Sequence, residues 1–218
     1  MLKSTDYTAP KDLIDEVIHI LPDIDFRLTL NKPTGDFFYD PWVLKDEFKG
    51  TIWENILDSL PETVGEARLI VLEPGKAYQS HSDIDDRYHL NVAGDNRSYL
   101  VDLDTLTMHP TKLDYKWYDL DASPRHSAVN FGELDRVQLV VRKLLLRNKL
   151  TNPLKVKIIG DRFEFDDRIS KLLNRWNKSG HISNFYVEQN AIYFDIESAE
   201  YYDKLANETY KRVKLELV

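Results

Sequence analysis

Residues 80–90 read SHSDIDDRYHL, Ser80 to Leu90, and hold two of the chain's six histidines, three aspartates and an arginine in a run that otherwise reads as a β-strand. On a strand, side chains two apart share a face, so His81-x-Asp83 presents an imidazole and a carboxylate side by side. Outward from this run, short strand-like segments follow one another between turn residues. EARLIVLEPG precedes it, and YHLNVAG, RSYLVDLD, KWYDLD, HSAVNFG and DRVQLVVRKLLL extend it to residue 146. Such a succession predicts a sandwich or barrel. Ahead of it, KDLIDEVIHIL has apolar residues at helical spacing and stops at Pro22, FRLTL alternates like a strand, NKPTGDFFYDPW is a loop, and TIWENILDSL is a short amphipathic helix ended by Pro61.

A boundary falls near RNKLTNPL, dividing the chain into residues 1–150 and 151–218. The second part reads KVKII (strand), FDDRISKLLNRWNKSG (helix, closed by Gly180), the hairpin NFYVEQ and AIYFDIE, AEYYDKLANETYKR (helix) and VKLELV (strand). That order, βαββαβ, predicts a small α+β ferredoxin-like domain.

With 218 residues, 42% hydrophobic and 30% charged, the chain can build a core without staples. It has no cysteine, so disulfides, thiolate metal sites and cysteine nucleophiles are excluded. The N-terminus lacks a secretory pattern and no run is apolar enough to span a membrane, so a cytoplasmic protein without membrane association is expected. The net charge of −8 argues against nucleic acid as a partner. The excess acidity lies in the first 151 residues, with 26 acidic against 18 basic. That is either a solvated surface or a face that attracts a cationic substrate.

A third ligand from a distant strand would make His81 and Asp83 a two-histidine, one-carboxylate facial triad, which leaves three adjacent positions open on a metal such as Fe(II). His89, His109, His126, His19 and His181 are the candidates, and His126 is best placed, at the head of HSAVNFG. Ten residues on, Arg136 enters the mouth of the expected barrel, where a guanidinium suits bidentate pairing with a carboxylate. The co-substrate 2-oxoglutarate has a distal carboxylate that needs such a partner.

His81-x-Asp83, Arg87-x-His89-Leu90 and His126 with Arg136 together resemble the aspartyl/asparaginyl β-hydroxylase family of Fe(II)/2-oxoglutarate-dependent dioxygenases, which includes proline hydroxylases. The resemblance covers roughly Ala67 to Val141. It implies a mainly β fold, with a double-stranded β-helix (jelly-roll, cupin-like) core flanked by N-terminal helices. It also implies that His81, Asp83 and His126 hold iron, and that Arg136, with Arg87 and His89, binds co-substrate. Dioxygen would be consumed, and an amino acid or a protein or peptide residue hydroxylated. Asp83 and the short step from His81 to Arg87 depart from the animal peptidyl enzymes of the family and resemble its bacterial amino-acid hydroxylases. The alternatives are a non-catalytic metal-binding cupin-like or structural module, or a zinc enzyme of cupin type with no need of Arg136.

Several residues carry plainer readings. Arg87 can pair with Asp85 or Asp86, His89 can be structural, and residues 84–86 read as a solvated turn rather than a calcium loop. His109 reads as a loop residue, His19 as helical and His181 as the start of a strand. Trp117 and Tyr118 read as core or as pocket lining. Tyr186, Tyr193, Tyr201 and Tyr202 lack the basic groove that base stacking requires.

Overall fold

The computed structural model describes residues 2–21, 24, 26–83, 85–122, 124–144, 153–159, 173–174, 176–177, 181–188, 191–197, 205 and 214–218. The chain divides into two compact units, Met1–Leu146 and Arg147–Val218.

The first unit runs β1 (Leu2–Thr8), α1 (Lys11–Ile20), β2 (Arg27–Thr29), β3 (Asn31–Pro33), β4 (Trp42–Leu44), α2 (Ile52–Leu57), β5 (Val64–Leu72), β6 (Arg87–Ala93), β7 (Ser98–Asp102), β8 (Thr107–Pro110), β9 (Lys116–Leu120), β10 (His126–Asn130) and β11 (Arg136–Lys143). Its large sheet has the antiparallel order β1-β9-β6-β11-β5-β2. The small sheet is β10-β7-β8, and the segment 77–81 lies along the free side of β10 through bridges at Ala77–Val129 and His81–His126. From β5 to β11 the chain passes repeatedly between the two sheets, with β5, β6, β9 and β11 in the large one and β7, β8 and β10 in the small one, as in a jelly roll.

Alternation along β11 explains the layering. Val137, Leu139 and Val141 face the helices, where they join Ile14, Val17, Trp53 and Ile56 in one buried core. Ala67, Leu69 and Val71 of β5 and Tyr88, Leu90 and Val92 of β6 share that face. The alternate residues point inward, and they are polar to an unusual degree: Glu66 and Arg68, Arg87, His89 and Asn91, Arg136, Gln138 and Arg142. Leu72, Leu100, Leu120, Ala122 and Ala128 form a smaller apolar cluster on the inner side.

The sequence reading of Ser80–Leu90 as one strand is corrected. His81 belongs to the edge of the small sheet, whereas Arg87–Leu90 lie in the large one. Asp85, between the two, does not lie on a solvated turn: it is 2% exposed and ion-paired. β1, β8 and the β3–β4 hairpin lie in segments without a clear apolar alternation. The expected helices α1 and α2 form where their apolar spacing placed them.

In the second unit, β12 (Leu154–Ile159), β13 (Ile182–Glu188), β14 (Ala191–Ile196) and β15 (Lys214–Leu217) form an antiparallel sheet of order β13-β14-β12-β15. Leu173, Trp176 and Leu205 are helical and buried, while most of both expected helices, with Tyr201 and Tyr202, lies outside the described residues.

Candidate metal centre and pocket

Backbone pairing builds the metal centre. His81 and His126 sit directly opposite each other and exchange both backbone hydrogen bonds, at 3.0 and 2.9 Å, which brings their rings to 4.5 Å between centroids. Asp83 follows, its N–H donating to the Ala122 carbonyl at 2.8 Å. One ligand atom from each of His81, Asp83 and His126 lies within 4.8 Å of the others. The Nε2 atoms of His81 and His126 stand 3.4 and 3.8 Å from Asp83 Oδ2.

The surroundings fix how these groups present themselves. A carbonyl oxygen only accepts, so His81 Nδ1 must donate to Gln79 O and His126 Nδ1 to Pro124 O, each at 2.8 Å. Both rings therefore turn an unprotonated Nε2 toward Asp83, the tautomer a metal requires. Asp83 Oδ1 accepts from Arg87 at 2.8 Å, whereas Oδ2 is buried and has no hydrogen-bond partner. A buried carboxylate oxygen left bare is costly unless something electropositive meets it. Burial alone would raise the Asp83 carboxyl, but the Arg87 guanidinium and the two imidazoles hold it well below the ordinary range. The Asp83 carboxylate beside it raises His81, while burial lowers His126. This donor set fits a divalent cation of the iron or zinc type.

Beside the three ligands opens a pocket of about 510 Å³, mouth included, lined among others by Arg68, Tyr78, Arg87, His89, Arg136 and Gln138. Its ionisable lining is arginine, histidine and tyrosine, and the carboxylates nearest to it, Glu66, Asp83 and Asp85, are paired with arginines, which does not favour a cationic substrate. Arg136 is 2% exposed, its side chain makes no hydrogen bond or ion pair among the described residues, and its Nε and one terminal nitrogen are buried without partners. Burial pushes its guanidinium down to about 10. Gly94 shapes this corner: its φ is +128°, and a Cβ there would stand 3.2 Å from the Arg136 Cα. Asn130 closes the preceding turn by donating to Leu72 O and Leu134 O.

His89 donates from Nδ1 to Gln138 Oε1 at 3.3 Å and leaves Nε2 buried and bare in the pocket. Arg87 lines the pocket too, but its guanidinium is spent on Asp83 and Asp85. The remaining candidates lie elsewhere in their elements: His19 is exposed on α1, His109 is on β8, and His181 is buried just before β13. Trp117 is fully buried in the core, with its indole N–H on Ser59. Tyr118 is half-buried and donates to Asp114. Sequence reasoning missed Arg68, Tyr78 and Gln138; the signal for Arg68 and Gln138 is their position at inward-facing places of strands that are otherwise apolar, whereas Tyr78 lies between strands and carries no such signal.

No protein-family model matches the chain, and no curated protein matches it. Among solved structures, a Pseudomonas putida prolyl-4-hydroxylase is similar at 12% identity and a TM-score of 0.38, over 66% of this chain and 93% of that one. No helix among the described residues is long and apolar enough to cross a membrane.

Proposed function

We propose that the protein is an Fe(II)- and 2-oxoglutarate-dependent dioxygenase that hydroxylates an amino acid or a protein or peptide residue, of the aspartyl/asparaginyl β-hydroxylase type. The observation that carries this reading is the buried, unpartnered Arg136 in the same pocket as the His81, Asp83 and His126 cluster. A metal site alone has no use for it. A metal site that must also seat a dicarboxylate does.

On this reading His81, Asp83 and His126 hold the ion from one side, and Arg136 orients the co-substrate through its distal carboxylate. When bound, Fe(II) with 2-oxoglutarate and dioxygen supplies the oxidising power for breaking an unactivated C–H bond. His89 offers a hydrogen-bond acceptor toward the co-substrate, its burial keeping the ring neutral. Arg87 keeps Asp83 ionised and turned toward the metal. The apolar wall of Ile70, Leu100, Leu120 and Val140 limits water in the pocket. Residues 1–150 would form this catalytic domain. A ferredoxin-like reading of residues 151–218 is supported by the strand order β13-β14-β12-β15, with antiparallel neighbours throughout.

Anaerobic titration with Fe(II) and then 2-oxoglutarate tests the proposal. A weak visible charge-transfer band in the wild type that weakens in Arg136→Ala is the expected result. Its absence at any co-substrate concentration would leave a metal-binding module, and full activity in Arg136→Ala would favour a zinc enzyme.

A further inference from the structure

Four arginines, Arg68, Arg87, Arg136 and Arg142, occupy inward-facing positions together with three carboxylates, Glu66, Asp83 and Asp85. Among these seven side chains the cations exceed the anions by one, before counting the half-exposed Arg27 that also reaches Glu66, and the buried Asp102 of β7 is taken up by the backbone N–H groups of Asp104 and Thr105. A divalent metal adds two positive charges and a dianionic co-substrate removes two, so the excess of one returns. A buried charge persists only where an opposite charge or hydrogen bonds compensate it.

The contacts show which guanidinium is left short. Arg136 is assigned to the co-substrate. Arg87 is held by Asp83 at 2.8 Å and Asp85 at 3.3 Å. Arg142 also has two buried nitrogens without hydrogen-bond partners, but it has Asp85 at 3.2 Å, lies against the Phe37 ring, 4.2 Å from its centroid, and is not among the residues that line the pocket. Arg68 has only Glu66, at 2.5 Å, and shares it with Arg27 and Arg142. Its Nε is buried without a partner, and it lines the same pocket as His81 and His126. In the β5–β11 ladder Arg68 stands opposite Val140 and Leu72 opposite Arg136, which sets the two arginines at different levels, roughly 13 Å of strand apart.

We propose that Arg68 holds a carboxylate of the primary substrate, which is therefore a small free acid such as an unblocked amino acid. This deepens the dioxygenase reading and rests on it. The pocket lining includes both Arg68 and Arg136, so a second small molecule can meet the one while the co-substrate meets the other. The guanidinium at Arg68, which shares its one carboxylate with two other arginines, selects an anionic group for the second.

Titration calorimetry on the full chain loaded with Mn(II) and 2-oxoglutarate, without oxygen turnover, tests this. The probes are the twenty free L-amino acids, the carboxamide of each, and Asp and Glu blocked at both ends. At least one free acid should bind, and its carboxamide should bind at least about thirtyfold more weakly, as expected for loss of a buried charged contact. Arg68→Gln should lose the acid by a similar factor while changing 2-oxoglutarate affinity less than threefold. Arg68→Lys, which keeps the charge and the pairing with Glu66, should recover part of the binding. The assignment is overturned if no free acid binds, if the carboxamide or a blocked residue binds as well, or if Arg68→Gln weakens 2-oxoglutarate as much as Arg136→Ala does. If wild type fails to take up 2-oxoglutarate, the dioxygenase reading falls, and the acid–carboxamide comparison on the Mn(II)-loaded protein still decides the role of Arg68.

Discussion

Arg136 is held at a cost. A guanidinium at 2% exposure with two unpartnered nitrogens has lost its water and gained nothing in the ligand-free protein. Arg136→Met should therefore stabilise the metal-free protein by about 1–3 kcal/mol in urea denaturation while abolishing co-substrate binding. Equal or lower stability of the variant would show that Arg136 is compensated in solution. Arg87 acts differently, because it touches Asp83 Oδ1 and leaves Oδ2 to the metal. Arg87→Gln should lower Fe(II) affinity about 10- to 100-fold, with a smaller effect on 2-oxoglutarate once metal is saturating. Metal titration followed by co-substrate titration separates the two.

At the scale of elements, β11 does two jobs with one strand. Leu139, fully buried, faces the helices, and Leu139→Ala should cost about 2–5 kcal/mol of stability without selectively weakening co-substrate binding. Its neighbours Gln138 and Val140 line the pocket. The strands β5, β6, β7, β9, β10 and β11 were legible because apolar residues recur within them between clear turns. Four elements were not. β1 is an edge strand whose LKSTDYT is exposed or half-buried throughout, so it carries no apolar face to read. β8 is a four-residue edge strand, and β3 and β4 hide in a segment rich in Pro and Gly. The pairing of His81-x-Asp83 with His126 could be read from spacing. The roles of Arg68 and Asp85 could not, because charge in a strand signals a solvated face unless the interior is known to be ionic.

For the molecule as a whole, the net charge of −8 says little about the site, since the surplus acidity lies outside an arginine-lined pocket. Stability should instead respond to pH through the interior. Burial, together with the nearby Arg87, pushes His89 down to about 3. An unfolded chain takes up that proton near pH 6.5. Between those values the unfolded state binds more protons, so stability is full above about pH 6.5 and falls as the solution is acidified. Lowering the pH from 7.5 to 5.0 should cost the wild type about 2 kcal/mol that His89→Gln does not lose, read from paired urea curves. Parallel losses in both proteins would refute a neutral, buried His89. The direct pairing of His81 with His126 has a consequence for how the chain holds together. Residues 77–81 form a peripheral strand, bridged at Ala77 and His81 alone, yet it carries one ligand and leads into another. An ion at this place ties together two covalently distant points, His81 and His126, so it acts as a removable clasp whose binding free energy adds to the folded state alone. Amide hydrogens of Tyr78 and His81, which bond to Ala128 and His126, should exchange with solvent markedly faster when the metal is stripped, while Leu139 in the central ladder stays protected.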